Sequence, residues 1–144
     1  MIRANGVKKA FGEKVVLHGI DAEFQSGQVN FIIGRSGSGK SVLTKCMVGL
    51  LEVDSGRVQY GDSVFSELNR RDREAVRREI GMLFQGGALF DSMTVLENVE
   101  FPLRMFSDMA EDERKERAME CLRRVELLGA EHRFPAEVSG GMQK

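Results

Sequence analysis

The sequence predicts an α/β fold in which a glycine-rich loop joins a short apolar strand to an amphipathic helix. Three observations carry this prediction. Short runs rich in β-branched residues fill the first third of the chain. Glycines cluster at residues 34 to 39, and apolar residues at helical spacing follow at once. Beyond residue 85 the periodicity is helical alone. The chain has 144 residues, 42% hydrophobic and 30% charged, enough for one domain with a sizeable core. A net charge of −1 excludes the charge-driven disordered class and lacks the basic excess of a nucleic-acid binder.

The elements follow in chain order. Val15-Val16-Leu17 and Ala22-Glu23-Phe24 read as strand flanking His18-Gly19-Ile20-Asp21. Ser26-Gly27 marks a turn, and Val29-Asn30-Phe31-Ile32-Ile33 reads as a short buried strand. Lys40 to Leu51 reads as a helix with Val42, Leu43, Cys46, Met47 and Leu50 on its apolar side. Asp54-Ser55-Gly56 is a turn, and Arg57 to Tyr60 a short strand. Residues 67 to 79 hold five Arg and four acidic residues, the pattern of a solvated helix laced with opposite charges. Ile80 to Phe84 reads as a second buried strand.

After Gln85, Thr94-Val95-Leu96-Glu97 fits a capping box, and Pro102 is expected to end or kink the helix it opens. Asp108-Met109-Ala110-Glu111 starts another helix, with Ala118, Leu122, Val125 and Leu128 on one face and a stop at Gly129. Cys46 and Cys121 form neither a C-x-x-C pair nor a disulfide framework, and read as reduced thiols of a cytosolic protein. The start Met1-Ile2-Arg3-Ala4-Asn5 has no apolar signal region, and no apolar run approaches the roughly 20 residues that span a bilayer.

The chemistry centres on Gly34-Arg35-Ser36-Gly37-Ser38-Gly39-Lys40-Ser41, which matches G-x-x-x-x-G-K-[ST]. Glycines let the backbone wrap closely around phosphate oxygens with its N–H groups inward. The following helix aims its positive end at the same anion. Lys40 is the residue expected to neutralise the β- and γ-phosphates, and Ser41 to ligate Mg²⁺. A chance match in a chain of this length is on the order of half a percent. The motif also stands in the strand-loop-helix setting that its mechanism requires.

Three further features reach beyond the loop: Phe11-Gly12 upstream, Gln85 at the end of an apolar run, and Val138-Ser139-Gly140-Gly141-Met142-Gln143-Lys144. Together with the loop they resemble the ATP-binding subunit of ABC transporters, over the whole chain from Val7-Lys8-Lys9 to Lys144. The stretch from Leu83-Phe84-Gln85-Gly86 to Leu96-Glu97-Asn98-Val99 looks most like the Mla-type subgroup, which moves phospholipids between bacterial membranes.

The resemblance implies a P-loop NTPase of ABC type, with an N-terminal antiparallel β part, a parallel-sheet core and the start of a helical subdomain. Residues 1–84 would be the nucleotide-binding core. Residues 85–144 would carry the Gln loop and helical subdomain as far as the signature motif. It implies ATP and Mg²⁺ as ligands. Phe11 would stack on adenine, where many members have Tyr, the alternative being a buried strand-edge aromatic. Gly34, Arg35, Ser36, Gly37, Ser38, Gly39, Lys40, Ser41 and Val42 would cradle the phosphates. Gln85 would contact Mg²⁺ and the attacking water, which makes it a catalytic candidate beside Lys40. Ser139, Gly140 and Gly141 would close over the γ-phosphate held by a second copy, although Ser-Gly-Gly alone is a common turn.

Departures from the family pattern are specific. Val138 and Met142 stand where the usual signature has Leu and Gln: the Val is a mild change, whereas the Met, which Mla-like members also tend to carry, cannot make the polar contact of a Gln. Val42 replaces a Thr that many members have, which removes a hydroxyl contact and leaves the main-chain N–H. The family's Asp-Glu motif and its His lie downstream of the signature. Ala88-Leu89-Phe90-Asp91 is too short to substitute, with Ser92 in place of Glu, and His18 and His132 come too early. The expectation is therefore a chain without its C-terminal half, inactive alone, whose core strands lack partners.

The resemblance further implies a homodimer and a membrane permease docked in a groove near Gln85, where Leu89, Phe90, Met93, Val95, Leu96, Val99, Phe101, Leu103, Met105 and Phe106 suit either the core of the helical subdomain or an adaptable surface. It places the protein in the cytoplasm, peripheral on the inner face of the membrane. No nucleic-acid partner is expected. The alternatives are a soluble non-transport ABC ATPase acting in DNA repair or translation, and a non-catalytic nucleotide-binding fragment.

Overall fold

The structure, a computed structural model, describes residues 1–84 and 86–144. It divides into two compact units, Met1–Gly81 and Met82–Lys144. The boundary expected after residue 84 thus falls at Gly81, and Gln85 lies outside the described residues.

In the first unit, β1 (Ile2–Phe11) and β2 (Lys14–Phe24) form an antiparallel hairpin whose register runs from Ile2 opposite Phe24 to Phe11 opposite Lys14. β3 (Ser55–Tyr60) pairs with the other edge of β1, and the short β4 (Ser63–Val64) pairs with β3, giving the order β2-β1-β3-β4. β1 is therefore the shielded strand, and Ala4 and Val7 are buried. α1 (Lys40–Met47) contributes Leu43, Cys46 and Met47 to the same core, together with Leu17, Val58 and Phe65. Burial pushes the Cys46 thiol above its ordinary pKa, which leaves it inert. Leu50 does not join the apolar face as expected. The helix closes at Gly49 (φ +70°), where the Leu50 amide turns back to the Lys45 carbonyl, and Leu50 is exposed.

The charged stretch forms α2 (Arg70–Arg78), capped by the Asn69 side chain on the Asp72 amide. Arg70 pairs with Glu74 in solvent. Arg73 and Arg77 instead turn toward backbone carbonyls of Ser66, Val48 and Gly49, so the helix is only partly the solvated element its charge pattern implied.

The runs 29–33 and 80–84 form no strand, and the expected parallel-sheet core is absent among the described residues. A strand gains its ladder only from a neighbour. Neither run has one, and Phe31 and Ile33 are 79% and 91% exposed.

The second unit packs α3 (Val95–Phe106) against α4 (Glu111–Arg124), with Val95, Ala118, Leu122 and, beyond α4, Ala130 buried. The Thr94 capping box is complete: the Glu97 amide donates to Thr94 Oγ1, and the Thr94 amide to the Glu97 carboxylate at 2.7 Å. The Thr94 amide foremost, with the Thr94 hydroxyl, holds the Glu97 carboxyl below its ordinary pKa. Pro102 does not end α3, which runs on to Phe106. Asn98 Nδ2 ties the preceding loop to α3 by bonding the carbonyls of Phe90, Met93 and Thr94. Arg114 joins Glu100 across the pair at 3.1 Å. α4 stops earlier than expected, because Glu126 takes a left-handed conformation (φ +59°). Val125 and Leu128 consequently leave the apolar face and are exposed.

Candidate functional site

The glycine-rich loop occupies residues 34–39 and leads into α1 without a break. Its geometry needs glycine at named positions. Gly39 has φ +93°, and a Cβ there would lie 3.0 Å from Leu17 Cδ2 and 3.1 Å from Val16 Cγ1. A Cβ on Gly34 would lie 2.7 Å from Ser38 Oγ. The loop therefore lies flat against β2, with its outer side open. The Ser38 amide donates to the Arg35 carbonyl at 3.2 Å, and the Leu43 amide to Gly39 at 2.8 Å. The N–H groups of the first helical turn have no carbonyl within the helix to bond, which makes this end an anion acceptor.

Lys40 folds back over the loop. Its ammonium donates to the carbonyls of Gly34 and Arg35, both at 2.9 Å. This anchors a positive charge at the loop rather than in open solvent. Arg35, Ser36, Gly37, Ser38 and Ser41 are exposed, and Gly39 is buried.

A cleft of about 350 Å³ opens here, lined by Gly37, Ser38, Gly39, Lys40, Ser41 and Val42 together with Phe11, Lys14 and Val16. The fold thus brings the expected aromatic to the loop from a distant part of the chain. Phe11 ends β1 with its ring 46% exposed. Its neighbour Lys9 holds the ammonium 5.8 Å from the ring centroid and pairs with Asp54 at 2.6 Å. Asp54 also accepts the Ala10 amide at 2.6 Å. These bonds, that from Lys9 foremost, hold the Asp54 carboxyl below its ordinary pKa. Lys14 and Val16 were not anticipated from sequence. The signal was available in the hairpin, since Lys14 pairs directly with Phe11.

A phosphate chain fits this donor set: backbone N–H groups, the ammonium groups of Lys40 and Lys14, and an open face. Ser41 brings a hydroxyl to the same cleft, an oxygen ligand suited to a hard cation that keeps most of its water.

Ser139, Gly140 and Gly141 belong to the second unit, and the cleft is lined by the first unit alone. There they form an exposed turn in which Ser139 Oγ accepts the Met142 amide at 3.4 Å and the Ser139 carbonyl accepts Gln143 at 3.1 Å. A Cβ on Gly140 would meet no neighbour, so its backbone is open to close approach. Phe90, Met105, Phe106 and Met109 are exposed, whereas Val95 is core. Ala88 to Asp91 forms no strand, and His18 and His132 are exposed. No helix among the described residues is long and apolar enough to cross a membrane.

The family model described as ABC transporter matches residues 17–144. The chain is 37% identical over 143 residues to the probable ribonucleotide transport ATP-binding protein mkl of Mycobacterium leprae, covering 99% of this chain and 41% of that protein. It is 42% identical to protein trigalactosyldiacylglycerol 3, chloroplastic, of Arabidopsis thaliana, covering 100% of this chain and 41% of that one. It is also 42% identical to the glutamine transport ATP-binding protein GlnQ of Escherichia coli, covering 100% of this chain and 60% of the relative. Among solved structures, the ATP-binding cassette MJ0796 in a dimeric post-hydrolysis state bound to ADP and Pi superposes with a TM-score of 0.84 at 34% identity, over 99% of this chain and 65% of that one. The chain spans about two fifths of the length of the mkl and Arabidopsis relatives. Its loop, its fold and its relatives agree: the chain belongs to the ABC transporter family.

Proposed function

We propose that the intact protein is the ATP-binding and ATP-hydrolysing subunit of an ABC transporter, working as a homodimer against a membrane permease. The observation that carries this is the cleft in which Phe11 lines the same opening as Gly37 to Val42. An aromatic face beside an anion cradle suits a base and a phosphate chain joined at nucleotide distance.

Lys40 neutralises the β- and γ-phosphates, and the amides of residues 34 to 42 wrap them. Phe11 stacks on the base, with Lys14 beside it as a second positive charge for the phosphates. Ser41 and Gln85 hold Mg²⁺, which when bound supplies further charge neutralisation. Gln85 also orients the attacking water. Ser139, Gly140 and Gly141 cover the γ-phosphate held by the partner copy, as the dimeric form of the related cassette supports. The water-orienting acid belongs outside residues 1–144, so this stretch by itself binds nucleotide without turnover. The permease docks near Gln85 in the chain and fixes the protein to the cytoplasmic face of the membrane.

The cargo we propose is phospholipid. Support comes from the Mla-like stretch 83–99 and from the lipid in the name of the Arabidopsis relative. Other relatives are named for ribonucleotide, methionine and glutamine, so cargo needs its own test. The intact protein should bind Mg-ATP in calorimetry, and Lys40→Ala should abolish both binding and turnover. Full binding by Lys40→Ala would remove the loop from the site. Phospholipid, rather than amino acid or nucleotide, should stimulate ATPase activity of the protein reconstituted with its co-purified permease. Stimulation by glutamine or methionine instead would overturn the lipid assignment.

A further inference from the structure

The phosphate-loop helix is gripped at its far end. α1 has eight residues, so its C-terminus lies about 12 Å from Lys40. Three successive carbonyls there each accept a bond from a side chain outside the helix. Tyr60 Oη donates to Met47 at 3.0 Å, Arg77 Nε to Val48 at 3.2 Å and Arg77 Nη2 to Gly49 at 2.6 Å. The socket is closed sterically as well. A Cβ on Gly49 would sit 2.8 Å from the Phe65 ring and 2.9 Å from Arg77 Nη2. Phe65 is fully buried and meets Tyr60 edge-on at 5.2 Å.

This arrangement exceeds what the helix end requires. The left-handed Gly49 already returns the amides of Gly49 and Leu50 to the carbonyls of Cys46 and Lys45. The Val48 and Gly49 carbonyls lie past the helix, where water would ordinarily serve them. A half-buried guanidinium serves them instead, and its charge complements the negative end of the helix. The donor comes from α2, whose chain continues through Ile80 to Phe84 into Gln85. One arginine therefore links the far end of the anion-binding helix to the segment that leads to the second Mg²⁺-binding candidate.

Resting on the reading of the loop as the nucleotide site, we infer that Arg77 is a positioning residue for that site. It fixes the axial stance of α1, and so couples occupancy of the loop to the order of residues 70–80. The coupling is reciprocal: whatever Arg77 adds to nucleotide affinity, bound nucleotide adds to the seating of Arg77. The charge pattern of α2 concealed this, because the acceptors are backbone carbonyls with no residue identity of their own.

The test uses the intact protein and two readouts, calorimetric affinity for Mg-ATP and amide hydrogen exchange across residues 70–80 with and without ATP. In the unaltered protein ATP should slow exchange across 70–80. Arg77→Met keeps the apolar stem and removes the donors. It should weaken ATP binding by about tenfold, the order of one charge-assisted bond partly lost, and abolish the ATP-dependent protection. Arg77→Lys should recover part of both. The inference is overturned if Arg77→Met lowers the melting temperature yet binds ATP within about twofold of the unaltered protein and keeps the protection. Should Arg77→Met not fold, Arg77→Gln removes the charge and the two-pronged donor while keeping a polar stem, and unchanged affinity and protection there overturn the inference equally. An unaltered protein that fails to bind ATP at all would instead overturn the nucleotide reading on which this one rests.

Discussion

Asp54 holds Lys9 through a 2.6 Å ion pair, and Lys9 in turn places its ammonium 5.8 Å from the centre of the Phe11 ring. The same carboxylate grips the Ala10 amide, so the two residues before Phe11 are both fixed by one side chain from the β3 approach. Phe11 thus reaches the cleft from a held strand end, not from a loose tip. A base stacked on such a ring is worth about 1–3 kcal/mol. Phe11→Ala should therefore weaken Mg-ATP binding by roughly tenfold or more, and Phe11→Tyr should leave it nearly unchanged. Calorimetry on the intact protein decides this. Equal affinity for ATP and inorganic triphosphate in the unaltered protein would show that the ring does no stacking.

The same contact has a pH signature. Asp54 is depressed by the hydrogen bond from Lys9 first and by that from Ala10 second. A depressed carboxylate contributes stability above its unfolded pKa, about 3.9, and loses it as the pH falls through the folded value. Asp54→Asn should lower the melting temperature by a constant amount from pH 7 down to about pH 4. The gap should then close in stronger acid. A gap that stays constant below that range would mean the carboxylate charge is not what holds Lys9.

Gly39 is the tightest point of the loop. Its φ of +93° disfavours any side chain, and an added methyl would press on Val16 and Leu17 with the Val16 carbonyl 3.2 Å away. Backbone strain of this kind costs about 1–3 kcal/mol. Gly39→Ala should destabilise the protein by that order in urea unfolding and lift the loop off β2, with ATP binding lost. Gly37→Ala makes an informative control, since its φ is also positive but a Cβ there meets nothing. It should show the backbone cost without the clash.

What the sequence disclosed was local. The glycine-rich loop leading into α1, the Thr94 capping box and the strand at Arg57 to Tyr60 each follow from residues within one turn or run, although that strand begins at Ser55, inside the expected turn. What it concealed was non-local. β1 carries Arg3, Asn5, Lys8 and Lys9, which blur any alternation, and it is a strand because β2 and β3 flank it. The runs 29–33 and 80–84 show the converse: strong apolar β signals that form no ladder where no neighbour exists. Periodicity overran the helices at Leu50, Val125 and Leu128, because the terminating residues act through backbone conformation rather than hydropathy. Lys14 and Arg77 were missed for a related reason. Each is placed by its register or by backbone acceptors, which no motif records.

The end of α4 yields the last prediction. The Leu127 amide turns back to the Leu122 carbonyl at 2.9 Å and the Glu126 amide to Arg123 at 3.1 Å, the closing pattern that places one residue in the left-handed region. Most helices put glycine there, whereas this one puts Glu126 at φ +59°. A side chain in that conformation costs roughly 1–2 kcal/mol, and glycine returns part of the gain through the entropy of the unfolded chain. Glu126→Gly should therefore stabilise the second unit by about 0.5–1 kcal/mol, read as a higher urea midpoint at unchanged slope. Among the described residues the Glu126 carboxylate has no bonding partner that the change would forfeit, and Leu122, the residue whose carbonyl closes the motif, is buried. Destabilisation by Glu126→Gly would mean that the carboxylate, rather than the backbone turn, secures the helix end.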